Sequence, residues 1–443
     1  MKKVVKFGGS SLADAAQFAK SAGIVRADDT RVYVVPSAPG KRFNGDTKVT
    51  DMLYECFELA SAGRDFQEPF RKIKDRYGEI IRGLGLNISL DDAFAEIEDR
   101  LLNHPEKDYT ASRGEYLNGL VMSAYLGFTF IDAAEVVFFN DGGVFDWERT
   151  REALSGRLAG TPAAVVPGFY GSRPDGAVQT FSRGGSDITG AIVAGACGAS
   201  VYENWTDVCG LLMADPRIIG NPEVIRHITY SELRELAYMG ATVMHEDTIF
   251  PVKKAGIPIN IRNTNNPDDP GTWIVENTAR RSRFTITGIT GRKDFCSIGI
   301  AKDFMHTEVG FCKKVVEIFE EFGISIEHLP TGIDTMNVVV QEAKFVDKEQ
   351  QVLNAISRCV TPDTLEVESG LALISVVGRS MRSQSGTAAK VFSALARARI
   401  NVRMIDQGAS ELNIIIGVLN EDFERAISSI YNAFVNKDCD EWE

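Results

Sequence analysis

The chain has 443 residues, enough for two or three domains that each bury their own core, and this excludes a small disulfide-stapled fold. Its 48 Lys and Arg against 61 Asp and Glu leave a net charge of −13, and no basic run tracks a phosphate backbone, so nucleic acid is not an expected partner. Apolar residues at 44% and charged residues at 25%, with no signal-peptide core and no apolar stretch long enough to span a membrane, predict a folded cytoplasmic protein with no membrane partner.

From the N-terminus, β-branched runs at residues 4–7, 31–35, 128–133, 163–166, 200–204 and 257–261 read as buried strands. Amphipathic helical segments such as 49–62 and 231–239 separate them. This alternation predicts an α/β domain whose largely parallel sheet is covered by helices on both faces, with ligands at the carboxyl ends of the strands.

The first strand ends in Lys6, Gly8, Gly9, Ser10 and Ser11. Glycine lets backbone approach an anion, while free N–H groups at a helix start and a nearby lysine face it. The string is neither a GxGxxG fingerprint nor a Walker A loop, because its lysine precedes the glycines. Further on, Glu115 follows Ser112, Arg113 and Gly114 and is expected to open an amphipathic helix, a place where helix-terminus preference alone would explain a carboxylate.

A second glycine pair lies in Ser182, Arg183, Gly184, Gly185, Ser186 and Asp187, after a strand at 178–181 and before a small-residue helix at 188–195. An arginine there can clamp a carboxylate or phosphate in bidentate fashion; the bland alternative makes Ser186 or Asp187 an N-cap and Arg183 a surface charge. Thr206 and Asp207 end another strand and precede Gly210, Asp215, Pro216 and Arg217, a loop suited to a base, a ribose or a phosphate. The five histidines are scattered and the seven cysteines hold no CxxC pair, so no metal site made by the protein and no disulfide framework are expected.

Residues 277–283 are charged and aperiodic, as a linker would be, and beyond them the chain repeats itself. Residues 296–340 align without a gap on 372–416, matching Gly310 with Gly386, Lys314 with Lys390, Ile324 with Ile400 and Asn337 with Asn413. Each copy reads strand (297–300; 373–377), helix (311–322; 387–398), strand (325–329; 401–405), strand (337–340; 413–417) and helix (347–359; 422–434), with a short strand at 365–367 closing the first. The order βαββαβ is ferredoxin-like.

Taken together and in this order, the segments Lys6 to Ser11, Ser37 to Gly40, Arg113 to Glu115, Pro167 to Phe169, Phe181 to Asp187, Thr206 to Val208, Asp215 to Arg217 and Pro270 to Thr272, with the duplicated C-terminal modules, resemble the aspartokinases, amino acid kinases with two ACT regulatory domains. The resemblance implies a catalytic domain at 1–283 and ACT domains at 284–368 and 369–443. It also implies ATP-dependent phosphorylation of the L-aspartate side chain to 4-phospho-L-aspartate, the entry to lysine, threonine and methionine synthesis.

By that resemblance, Lys6 stabilises the transferring phosphoryl group and Asp187 orients Lys6. Gly8, Gly9, Ser10 and Gly185 cradle phosphate, while Thr206, Asp207 and Arg217 hold ATP, with Mg²⁺ carried mainly on the phosphates. Arg183 would clamp the substrate α-carboxylate, Glu115 and Asp187 would face its α-ammonium, and Ser37, Thr50, Phe169 and Ser186 would line the pocket. Leu212 and Asn265 depart from the family, standing where relatives often carry an aromatic residue and a lysine.

ACT domains pair, which implies a homodimer, with a tetramer as the alternative, and they bind an amino acid at the turn before the first helix and along the second strand. In the first copy this implicates Met305, Gly310, Phe311, Ser325, Ile326, Glu327 and Asp334. Glu327 or Asp334 would suit a cationic side chain, making L-lysine the expected inhibitor over threonine. Asn401, Val402 and Arg403 of the second copy lack that carboxylate. Readings left open are another kinase of the same fold, such as glutamate 5-kinase, acetylglutamate kinase or uridylate kinase, and an amino-acid sensor with a decayed kinase half.

Overall fold

The computed structural model of the chain describes residues 1–182, 184–240, 246–278 and 283–436. Two compact units emerge, one from residues 1–211, 224–231 and 246–278, the other from 212–223, 232–240 and 283–436.

The first unit is built on an eight-stranded sheet in the order Thr129–Phe130, Ala164–Val165, Arg31–Pro36, Lys3–Phe7, Val201–Thr206, Ile259–Asn263, Thr272–Val275 and His227–Thr229. Neighbours run parallel except Ile259–Asn263 with Thr272–Val275. Val4, Val5, Phe7, Tyr33, Val34 and Val35 are fully buried, as expected for strands covered on both faces. The expected strand over 128–133 shrinks to Thr129–Phe130 because Asp132 caps a short helix, Ala133–Val136, accepting the Ala134 amide at 2.9 Å.

Two helices that the sequence pattern did not single out, Gln67–Gly83 and Asp91–Asn103, join the core through Phe70, Tyr77 and Phe94. Phe7 pairs in register with Pro36 on one side and Trp205 on the other. The segments that begin at Gly8, Ser37 and Thr206 therefore leave the sheet along one edge, at the carboxyl ends of its central strands.

The second unit carries a six-stranded antiparallel sheet in the order Ile326–His328, Thr335–Gln341, Gly288–Ala301, Thr364–Val377, Asn413–Leu419 and Met404–Asp406. The helices Phe311–Glu321 and Glu349–Val360 belong to the first module, Thr387–Arg397 and Phe423–Val435 to the second. Where separate strands were expected at 365–367 and 373–377, one 14-residue strand runs through, so the expected division at 368 and 369 falls inside it.

Its partner Gly288–Ala301 is also 14 residues long, and the two pair from Gly288 with Val377 to Ala301 with Thr364. The first stretch of this strand, Gly288 to Arg292, borders the second module, and the last, from Phe295 on, belongs to the first. The second module thus takes its outer strand from residues ahead of the first.

Candidate active site

Lys6 lies one residue from the end of its strand, almost wholly buried, and its register partner on Val201–Thr206 is Asn204. The helix Gly185–Cys197 starts from Gly184, which adopts the left-handed conformation at φ 57°. Small residues let this helix lie close to the sheet: a Cβ on Gly190 would stand 2.5 Å from the Tyr202 hydroxyl. That hydroxyl donates to the Asp187 carbonyl at 3.0 Å. The approach brings the Asp187 carboxylate to the Lys6 ammonium, with Nζ 2.6 Å from Oδ1. Asn204 completes the group, donating from Nδ2 to Asp187 Oδ1 at 2.9 Å and accepting from Lys6 Nζ at 3.4 Å.

Gly8, Gly9 and Ser10 form the turn after the Lys6 strand, beneath the Ser37 to Gly40 segment. The Gly40 amide donates to the Gly9 carbonyl at 2.8 Å, and a Cβ on Gly9 would lie 2.8 Å from the Ala38 carbonyl oxygen, so only glycine permits the contact. Ser37, half-buried, donates its amide to the Phe7 carbonyl at 3.0 Å and accepts from Asn118 Nδ2 at 2.6 Å. Thr50 is half-buried in the first turn of Val49–Ser61.

Glu115 does not open a helix. It sits mid-way along Lys107–Leu126, a 20-residue helix buried over much of its surface. The small residue before it serves packing: a Cβ on Gly114 would lie 2.8 Å from the Ala38 Cβ. The Glu115 carboxyl is buried, and burial pushes its pKa up to about 8, opposed by the Ala38 amide and by the charges of Lys6 and Arg113. Its Oε2 has no hydrogen-bond partner. An unpaired oxygen on a buried acid is costly and is complementary to an arriving cation.

Phe169 takes a left-handed φ of 81°, rare for a residue with a side chain, and a Cβ on Gly185 would come within 2.5 Å of its ring. A Cβ on Gly168 would likewise fall 2.6 Å from Ser186 Oγ. Phe169, Ser186 and Gly185 thereby crowd the helix N-terminus that carries Asp187. Thr206 ends its strand and accepts the Thr264 amide at 2.8 Å, and Asp207 beyond it is exposed.

Arg183 lies outside the described residues. Arg217 belongs to the second unit, where its exposed guanidinium chelates Asp215, Nη2 to Oδ2 at 2.5 Å. Asn265 accepts from Lys20 Nζ at 3.0 Å, which sets a cation beside it.

Sequence reading missed Asn204 and also Arg76. Buried Arg76 donates to the Gly40 carbonyl at 3.1 Å and to both Asp46 oxygens at 3.0 and 2.8 Å, fixing the loop between Ser37 and Thr50. Hydrogen bonding from Arg42, reinforced by the charge of Arg76, holds the Asp46 carboxyl well below the usual range.

The model of the amino acid kinase family matches residues 1–263, and an ACT domain model matches 374–434. Aspartokinase 3 of Bacillus subtilis is 39% identical over 98% of each chain. The crystal structure of Clostridium acetobutylicum aspartate kinase superposes with a TM-score of 0.91 at 49% identity, over 98% of this chain and all of that one. The chain belongs to the aspartokinases, phosphotransferases of the amino acid kinase family. Aspartokinase III of E. coli, solved with aspartate and ADP and again with lysine and aspartate, aligns at 26% identity over 98% of this chain and 99% of that one, with TM-scores of 0.74 and 0.69.

In this aspartokinase the positions expected to meet an effector fall in the second unit. Gly310 is left-handed at φ 86° and starts the helix Phe311–Glu321, while Ser325 is exposed and Ile326 and Glu327 are half-buried on the second strand of the first module. Met305 and Phe311, expected at the effector, are buried in the module core. Asp334 Oδ1 stands 3.4 Å from His306 Nδ1. The Glu327 carboxylate is already engaged, accepting from Tyr238 Oη at 2.5 Å and from Gln341 Nε2 at 2.8 Å. In the second module the corresponding Arg403 pairs with Glu368.

Proposed function

We propose that this aspartokinase transfers the γ-phosphoryl group of ATP to the side-chain carboxylate of L-aspartate, forming 4-phospho-L-aspartate and ADP, and that L-lysine restrains it through the first ACT module. One observation carries the catalytic half: a Lys6–Asp187 pair at a glycine-rich helix start, in the same unit as Glu115, a buried acid with one unpaired oxygen.

The chemistry suits these groups. A free aspartate side chain has a pKa near 3.9 and is ionised at neutral pH, so the nucleophile needs no general base. The harder task is bringing a carboxylate to a polyphosphate, and that calls for positive charge and N–H donors at the transferring group. In this reading the carboxylate oxygen attacks the γ-phosphorus as the bond to the ADP oxygen breaks, and Lys6 meets the charge on the phosphoryl oxygens. Backbone of Gly8, Gly9, Ser10 and Gly185 receives phosphate.

Glu115 and Asp187 take the substrate ammonium and Arg183 its α-carboxylate. Ser37, Thr50, Phe169 and Ser186 enclose the rest, while Thr206 and Asp207 hold the nucleotide. Mg²⁺ arrives on the phosphates of ATP and neutralises their charge there.

For regulation, Glu327 is the carboxylate offered to a cationic effector, with Gly310, Ser325, Ile326 and Asp334 around it. Phe304, Val309 and Ile333, exposed by 73%, 97% and 69%, give the first module an apolar surface that suits ACT pairing into a homodimer. Catalysis is assigned to residues 1–283 and regulation to the two modules that follow.

The test is ATP consumption with L-aspartate in the presence of hydroxylamine, which traps an acyl phosphate as its hydroxamate, with lysine and threonine added separately. Aspartate hydroxamate that lysine suppresses supports both halves. Its absence under every condition refutes the catalytic half, and suppression by threonine alone refutes the choice of lysine.

A further inference from the structure

We infer that Asn204 is a positioning residue for phosphoryl transfer, bridging Lys6 and Asp187 so that the two charges keep one fixed arrangement. The inference rests on the aspartate kinase reading above and adds to it a residue that neither the motifs nor the comparisons assign.

Asn204 is 5% exposed, on a central strand of the parallel sheet, and faces the same side as Lys6 because the two are register partners. A buried amide at such a place costs free energy unless both of its ends are paired, whereas an apolar side chain would fill the space without that demand. Both ends are paired here, each with a charged group: Nδ2 with Asp187 Oδ1 at 2.9 Å, and Oδ1 with Lys6 Nζ at 3.4 Å. Only this orientation of the amide sets an acceptor against the ammonium and a donor against the carboxylate.

The consequence concerns what a lone Lys–Asp pair would do. With one oxygen of Asp187 shared between Lys6 at 2.6 Å and Asn204 at 2.9 Å, the carboxylate cannot swing to chelate the ammonium with both oxygens. Oδ1 is committed to the interior, and Oδ2 remains for the substrate ammonium. Lys6 stays divided between two acceptors, free to add the phosphoryl oxygens as a third partner, since an ammonium carries three donors.

Two variants test this. Asn204→Leu keeps the branched shape at a larger volume and removes both hydrogen bonds; Asn204→Asp keeps the shape and the acceptor but sets a second anion against Asp187. Both should lower kcat by about tenfold to a hundredfold, the usual consequence of a misplaced catalytic group. KM for L-aspartate should rise several-fold while KM for ATP stays within about twofold. Wild-type kcat and KM in Asn204→Asp would reduce Asn204 to a space-filling residue and overturn the inference.

Should the wild-type enzyme yield no aspartate hydroxamate at all, the substrate assignment fails rather than the bridge. The bridge is then judged by unfolding midpoints of Asn204→Leu, Asp187→Ala and the double variant. A double loss smaller than the sum of the two singles sustains the coupling. Strict additivity removes it.

Discussion

The Tyr238 hydroxyl donates to one oxygen of Glu327 at 2.5 Å while Gln341 Nε2 holds the other at 2.8 Å. Tyr238 lies in the stretch covered by the amino acid kinase model, and Glu327 on a strand of the first regulatory module. A cationic effector that takes Glu327 must therefore compete with the phenol. Replacing Tyr238 by Phe should lower the lysine concentration for half-inhibition by about threefold to tenfold, the worth of one typical intramolecular hydrogen bond. An inhibition titration in the hydroxamate assay measures it, and unaltered or weaker lysine inhibition would remove Glu327 from the effector site.

Glu115 makes the enzyme sensitive to pH in a calculable direction. Its folded pKa of about 8 exceeds the ordinary 4.5, so between these values the folded chain holds a proton that the unfolded chain has lost. Stability is accordingly greatest below the unfolded value, declines as pH rises through this window and levels off above about 8. Glu115→Gln should flatten that decline in thermal unfolding followed against pH. If the substrate ammonium binds there, L-aspartate also binds more tightly as pH rises toward 8, and the variant loses at least about tenfold in KM together with the pH dependence.

Gly9 and Gly23 provide a matched pair. A Cβ on Gly9 would meet backbone, 2.8 Å from the Ala38 oxygen and 3.2 Å from the Gly40 nitrogen, neither of which yields easily. Gly9→Ala should cost about 1–3 kcal/mol and most of the turnover. Gly23, inside the helix Ala15–Arg26, has nothing within 4 Å of such a Cβ, and Gly23→Ala should stabilise by about 0.4–1 kcal/mol with turnover unchanged. Denaturant midpoints and kcat of the two variants decide both expectations.

In the second unit, Glu232 is wholly buried and accepts from Thr287 Oγ1 at 2.5 Å, the Arg379 amide at 3.0 Å and Arg379 Nη1 at 2.8 Å. Removing the carboxylate takes this acceptor from three donors at once. Glu232→Ala should therefore destabilise by about 3–5 kcal/mol, and Glu232→Gln by less. Equal, small losses in urea unfolding of both variants would show that the pair is solvated well enough to be dispensable.

What the sequence made legible follows a physical line. Glycines at Gly9, Gly184 and Gly185 stood out because close approach or a left-handed backbone excludes other residues there, and such needs leave a local mark. Gly114 and Ser112 misled for the same reason: small residues resemble a helix start, whereas here Gly114 admits the Ala38 side chain and Glu115 is mid-helix. The pair Ser369 and Gly370, Gly370 at φ 71°, resembles a turn, yet the strand runs through it.

Asn204 was hidden differently. It reads as the polar end of a strand, and its meaning depends on Lys6, 198 positions away in the chain, and on a helix whose small residues permit contact. Pairing across such distances has no periodicity to betray it.

The strand Gly288–Ala301 has a consequence for how the chain acquires its shape. By Glu368 every strand and helix of the first regulatory module has left the ribosome, whereas the second must pair Leu373 to Val377 with a segment made before the first module began. Until then Gly288 to Arg292 is an unpaired sheet edge, open to pairing with another chain. Nascent enzyme should be most prone to aggregation in that interval, and a chain cut between the two modules would keep that edge bare for its lifetime.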